Sequence, residues 1–187
     1  FRKSCVEWNQ ALKTVFPGAP FKTATNNTCG GLAPLDYSNL NGIGEFLAVD
    51  PYPTSAAYNF GPARALYHTG YSVRLLHDLA PAMRTMAMCQ AFSYCGGAPG
   101  KAELREWASQ ALKNGASSFY WYCQDAPYQI FPEYRAMLNL NRVIATMDRV
   151  KLPEKTVTGI FSSDYDRYAL RDNVCHPEYS VYAILGE

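Results

Sequence analysis

Apolar runs too short to be helices, each followed by a helical pattern, constrain this chain more than anything else in it. Phe46-Leu47-Ala48-Val49 is continuous and apolar, and Met86-Ala87-Met88 forms the centre of a run over Arg84 to Cys89. Ser117 to Tyr122 is a third run and Phe21 to Thr25 a fourth. A strand that is apolar on both faces needs cover on both faces, and strands of this kind alternating with helices indicate a parallel sheet. The helical periodicity falls between them. Residues 3–15 carry Cys5, Trp8, Leu12 and Val15 on one stripe, and residues 71–80 carry Val73, Leu76, Leu79 and Ala80. Residues 101–114 carry Leu104, Trp107, Ala108, Ala111 and Leu112, with Glu103 in the first turn, Lys113 in the last and Gly115 as the stop. Residues 133–149 carry Met137, Leu140, Ile144 and Met147, and a short helix is expected over Leu35 to Leu40. Four strand-plus-helix units fit half of an eight-stranded β/α barrel. A doubly wound α/β sheet fits the same periodicity.

The loops separate by chemistry. Those leading into strands, such as Pro17 to Pro20 and Gly115-Ala116, are short and bland. Polar residues gather instead where strands end: Asn26-Asn27, Asp50-Pro51-Tyr52, Gln90-Ala91-Phe92 and Gln124-Asp125. In a barrel, chemistry sits at that end of the strands. Asp50 and Asp125 are the carboxylates that could act as catalytic groups or hold hydroxyls, and local turn bonding is the rival role for each. Asn26, Asn27, Gln90 and Gln124 offer amides that both donate and accept. Tyr52, Phe92, Tyr94 and Trp121 are the rings expected to wall a cleft, Trp121 by stacking. Tyr120 and Tyr122, on the opposite face of their strand from Trp121, read as core between sheet and helices.

A net charge of +1 does not favour nucleic acid or an anionic membrane as partner. There is no apolar run long enough to span a bilayer. Hydrophobic residues at 48% against 18% charged indicate a globular core, and 14 tyrosines suit a wet cleft for polar ligands. The six cysteines, at 5, 29, 89, 95, 123 and 175, show no zinc spacing and read as buried thiols. His68, His77 and His176 are scattered, without ligand spacing. No phosphate-binding loop, dinucleotide fingerprint or serine nucleophile elbow is present. Neither metal nor cofactor is therefore expected.

Composition changes at Lys151-Leu152-Pro153-Glu154-Lys155. Beyond it Val157 to Phe161 reads as a new strand ending at Ser162-Ser163-Asp164, and residues 180–187 begin a helix. The expected organisation is a first domain over 1–150 and the beginning of a second α/β domain over 151–187. Helical patterns at both ends lead us to expect a fragment of a longer polypeptide.

Two stretches carry a resemblance. Phe46-Leu47-Ala48-Val49-Asp50-Pro51-Tyr52-Pro53 is similar to the sixth-strand segment of many barrel glycoside hydrolases. Glu103-Leu104-Arg105 through Ala111-Leu112, Gly115-Ala116 and Phe119-Tyr120-Trp121-Tyr122 is similar to their last helix and eighth strand. Together with the 133–149 helix and Val157 to Ser163, the order resembles glycoside hydrolase family 42, the β-galactosidase group. The resemblance implies the C-terminal half of a TIM (β/α)8 barrel, about strands five to eight, followed by the start of a flavodoxin-like domain. It implies a carbohydrate substrate, hydrolysis of glycosidic bonds in the parent protein, inactivity of this half alone, and a second domain through which oligomers could form. In that family the acid/base glutamate ends the fourth strand and the nucleophile glutamate ends the seventh. Here the seventh-strand position is Gln90, which cannot ionise. That departure keeps open a non-catalytic carbohydrate-binding barrel, and an unrelated α/β small-molecule module stays open as well.

Overall fold

The computed structural model describes residues 2–18, 24–28, 38–54, 66–93, 97–122, 133–148 and 151–152. Helix α1 spans Arg2–Val15 and strand β1 spans Ala24–Thr28. A single 3-10 turn, Ser38–Leu40, precedes β2, Phe46–Asp50. Then come α2 (His68–Leu79), β3 (Arg84–Gln90), α3 (Lys101–Lys113), β4 (Ala116–Tyr122) and α4 (Tyr134–Thr146). The second-domain segment from 153 onward lies outside the described residues.

The chain is α/β. Among the described residues all four strands are parallel, and their order in the sheet, β1-β2-β3-β4, is their order in the sequence. A doubly wound sheet reverses its strand order at a switch point, and no reversal occurs among these four strands. Parallel neighbours joined by right-handed crossovers place successive helices on one side. The packing agrees: α2 lies on β2 and β3, α3 on β3 and β4, and the helices touch in sequence, α2 to α3 to α4.

Strand alternation sorts the side chains. Leu47, Val49, Ala87, Cys89 and Trp121 turn into the core with Val73, Leu76 and Ala80 of α2, Leu104, Ala108 and Ala111 of α3, and Met137 of α4. Along β3 burial alternates, with Thr85, Ala87 and Cys89 buried and Arg84, Met86 and Met88 half-buried. That period of two marks a strand covered more fully on its helix side. On β4 the contrast is sharper: Trp121 is 7% exposed and its neighbour Tyr120 51%. A register shift at Thr85/Met86 lets β4 slip one residue, after which Met88 pairs with Tyr120 and Gln90 with Tyr122.

Two sequence expectations change here. β1, described over Ala24–Thr28, continues through Asn26 and Asn27, which pair with Ala48 and Val49, while residues 21–23 lie outside the described residues. The two asparagines are interior strand positions, because ladder bonding to β2 extends β1 to the level of Asp50 beyond its own apolar pattern. The stripe on α1 does not form a core face either. Trp8 is 69% exposed and Val15 66%, and only Cys5 and Val6 reach the core. α1 is tethered by polar bonds instead: Arg2 donates to the carbonyls of Asn39 and Asn41, and Asn9 to that of Ile43.

Helix ends follow their expected chemistry. The Gly100 N–H donates to Glu103 Oε2 at the start of α3 (2.6 Å). The N-terminus of α2 has no cap of its own. Gln110 of α3 supplies one, its Oε1 accepting from Gly70 N–H (3.0 Å) while its Nε2 donates to Leu66 O and Glu106 Oε1. Gly115 ends α3 with φ of +101°, and a Cβ there would sit 2.7 Å from His77 Cδ2 and 3.1 Å from Leu152 Cδ1. Gly115→Ala therefore combines a left-handed alanine with a clash, and we expect a loss of about 2 kcal/mol in urea unfolding. An unchanged midpoint would show that the α3–β4 turn relaxes freely.

Candidate functional site

The C-terminal ends of β2, β3 and β4 converge on three aromatic rings. Tyr52 lies two residues beyond the end of β2, Phe92 two residues beyond the end of β3, and Tyr122 is the last residue of β4. Tyr52 and Phe92 meet edge to face with centroids 5.2 Å apart, Phe92 and Tyr122 likewise at 5.5 Å, and Tyr52 and Tyr122 tilt by 30° at 6.1 Å. Edge-to-face contact aligns the positive rim of one ring with the negative face of the next. All three rings are half-buried, so part of each remains open to solvent. The Ala91 N–H donates to Tyr122 O (3.1 Å), carrying the ladder one step past the strand end and holding Phe92 near the β4 ring.

Two buried polar side chains end the same strands. Asp50, the last residue of β2, is 4% exposed. Gln90, the last residue of β3, is 0% exposed. The segment leaving Asp50 is stiff, since Pro51 and Pro53 are both fully buried and each fixes its φ. Gln90 Nε2 donates to Thr54 Oγ1 (2.6 Å) and to Phe92 O (2.9 Å), and Gln90 Oε1 accepts from Thr54 N–H (3.3 Å). Both amide hydrogens are thus committed to the protein. The sequence reading gave Gln90 to the ligand; the structure gives it to the loops, because a fully buried amide must pair internally.

Trp121 requires a further correction. It faces the helices, not the cleft: its Nε1–H donates to Asn141 Oδ1 on α4 (2.6 Å) and its ring meets Phe119 edge to face at 4.8 Å. Tyr122, read from sequence as core, takes the ring position in the cluster. Alternation had already separated the two; what was missing was which face the helices cover. Asp50, Tyr52 and Phe92 stand at the strand ends as expected. Asn26 and Asn27 lie within β1, and Tyr94, Gln124 and Asp125 fall outside the described residues.

These groups offer both polar and aromatic contacts. A buried carboxylate accepts hydrogen bonds, two phenol hydroxyls donate and accept, and ring surfaces cover apolar patches. Among the described residues no cluster of three His, Cys, Asp or Glu could hold a metal. Cys89 sits in the core, where burial pushes its thiol pKa up and keeps it protonated and inert. His68, buried in the first turn of α2, has its pKa pushed down to about 4 by desolvation and is neutral. Two grooves lie elsewhere. One of about 520 Å³ runs between α3 and α4, lined by Leu104, Arg105, Ala136, Leu140 and Val143 among others. A second, of about 180 Å³, lies where β4 begins, against Ile144 and Met147. Among the described residues no helix is long and apolar enough to cross a membrane.

Comparison with protein-family models, with curated proteins and with solved structures finds no match for this chain.

Proposed function

We propose that the described sheet is the C-terminal half of a β/α barrel from a glycoside hydrolase-like protein, and that the ends of β2, β3 and β4 form one wall of its saccharide cleft. One observation carries the reading: three successive parallel strands end in Asp50, Gln90 and Tyr122, and the rings of Tyr52, Phe92 and Tyr122 lock together at those ends. Among the described residues, the unreversed strand order and the run of contacts from α2 to α3 to α4 support a barrel over a doubly wound sheet. Barrel chemistry gathers at the strand C-termini. In this reading Asp50 receives sugar hydroxyls, the rings cover the apolar face of a pyranose, and residues from 151 open a flavodoxin-like domain.

A second reading is favoured by Gln90. Hydrolysis with retention needs two carboxylates about 5 Å apart. Gln90 cannot ionise, and its N–H groups are spent on Thr54 and Phe92. A cleft of this kind binds saccharide without cleaving it through β3.

Titration of the 187-residue chain with methyl β-D-galactopyranoside and with cellobiose, followed by NMR, tests the proposal. The ring resonances of Tyr52, Phe92 and Tyr122 are expected to shift saturably. Asp50→Asn should weaken binding about tenfold, the scale of one hydrogen bond to a charged group. Aryl β-galactoside should not be hydrolysed by this chain alone. Absence of ring shifts with both sugars, or a shift map on another face, would remove the saccharide wall; turnover would remove the second reading.

A further inference from the structure

We infer that Gln90 is a positioning residue: its buried amide sets the geometry of the aromatic cluster by tying the loop after β2 to the loop after β3. The importance of this for ligands rests on the saccharide reading above; the effect on the rings does not. Gln90 reaches across to Thr54 with both ends of its amide, Nε2 to the hydroxyl at 2.6 Å and Oε1 from the N–H at 3.3 Å. Its other N–H goes to Phe92 O at 2.9 Å. Thr54 closes a hook in which half-buried Tyr52 stands between Pro51 and Pro53, both fully buried. Pinning Thr54 therefore fixes where Tyr52 can stand, and bonding Phe92 O fixes the ring that Tyr52 meets at 5.2 Å. One side chain determines two of the three rings.

The placement has a physical logic. Loops at strand ends are held by few ladder bonds, so their conformations are many. A planar amide with two donors and an acceptor in fixed geometry removes that freedom, and burial strengthens each bond. Preorganised walls bind more tightly because ordering is complete before the ligand arrives. A glutamate here would keep the acceptors and lose both donors, releasing Phe92 O.

The test uses Gln90→Met, which preserves length and removes the amide, in the full chain. The mutual ring-current shifts of Tyr52 and Phe92 are expected to collapse while the strand amide resonances of β2 and β3 persist. Affinity for whichever of methyl β-D-galactopyranoside and cellobiose binds the unmodified chain should fall about tenfold. Should Gln90→Met fail to fold, Thr54→Val and Thr54→Ser carry the same test. Valine should loosen the Tyr52–Phe92 contact, and serine, which keeps the hydroxyl, should restore it. Unaltered ring shifts in Gln90→Met, or equal behaviour of the valine and serine variants, would overturn the inference. Collapsed ring shifts in a chain whose native form binds neither sugar would leave the clamp standing and retire the saccharide reading.

Discussion

Trp121→Ala is expected to destabilise the chain by about 3–5 kcal/mol, the range for deleting a large aromatic side chain from a packed core. The effect has three sources. The indole is 7% exposed and belongs to the core that joins β3, β4, α3 and α4. Its N–H donates to Asn141 Oδ1 at 2.6 Å, and truncation loses that bond. Its edge-to-face contact with Phe119 is lost as well. Domains of this size are held by only about 5–15 kcal/mol, so the variant should unfold at markedly lower urea. Trp121→Phe keeps a ring and loses the hydrogen bond, and should cost about 1–2 kcal/mol. A cleft residue would behave in the opposite way, with ligand binding abolished and stability nearly unchanged. Urea midpoints of the two variants decide between these roles, and a loss below about 1 kcal/mol for alanine would refute the core assignment.

The contrast between Trp121 and Tyr122 shows what a sequence of this kind discloses. Periodicity is a local property, and it recovers the elements that local patterning determines. The 101–114 helix is found as Lys101–Lys113, the 133–149 helix as Tyr134–Thr146, and Phe46-Leu47-Ala48-Val49 as β2 with one added residue, Asp50. That one residue matters, because it makes Asp50 a strand position with a defined face rather than a loop residue. Which face is covered is not local. β4 presents aromatic side chains on both faces, so neither parity of Phe119-Tyr120-Trp121-Tyr122 is marked as the inner one, and only the packing of α3 and α4 decides. β1 fails for the same reason in another form: its pairing with β2 runs on through Asn26 and Asn27, and two amides carry no strand signature. Gln90 is visible in the sequence as a polar residue at a strand end. Its partner Thr54 lies 36 residues away, so the bond that turns it inward cannot be read from spacing. Strand ends locate the site; three-dimensional pairing assigns the roles within it.

Acidification is expected to weaken the fold by about 3 kcal/mol between pH 6.5 and 4, through His68. The imidazole is buried in the first turn of α2, and desolvation lowers its pKa from 6.5 to about 4. Its position at the positive end of the helix opposes a cation in the same sense. The sign follows from proton uptake. Above pH 6.5 the ring is neutral in both folded and unfolded chains, and its contribution is constant. As pH falls through 6.5 the unfolded chain takes up a proton that the folded chain refuses, so the unfolded state gains. Below about 4 both states carry the proton and the loss levels off. At about 1.36 kcal/mol per unit, the shift corresponds to about 3 kcal/mol. Urea midpoints taken across this window should therefore fall with decreasing pH in the unmodified chain, and the slope should flatten in His68→Gln. Glutamine in a site this enclosed will itself lower stability at neutral pH, so the quantity that matters is the slope and not the midpoint at one pH. Parallel profiles for the two chains would mean that protonation elsewhere drives the acid limb, and that the α2 N-terminus opens to water far enough to admit a charged ring.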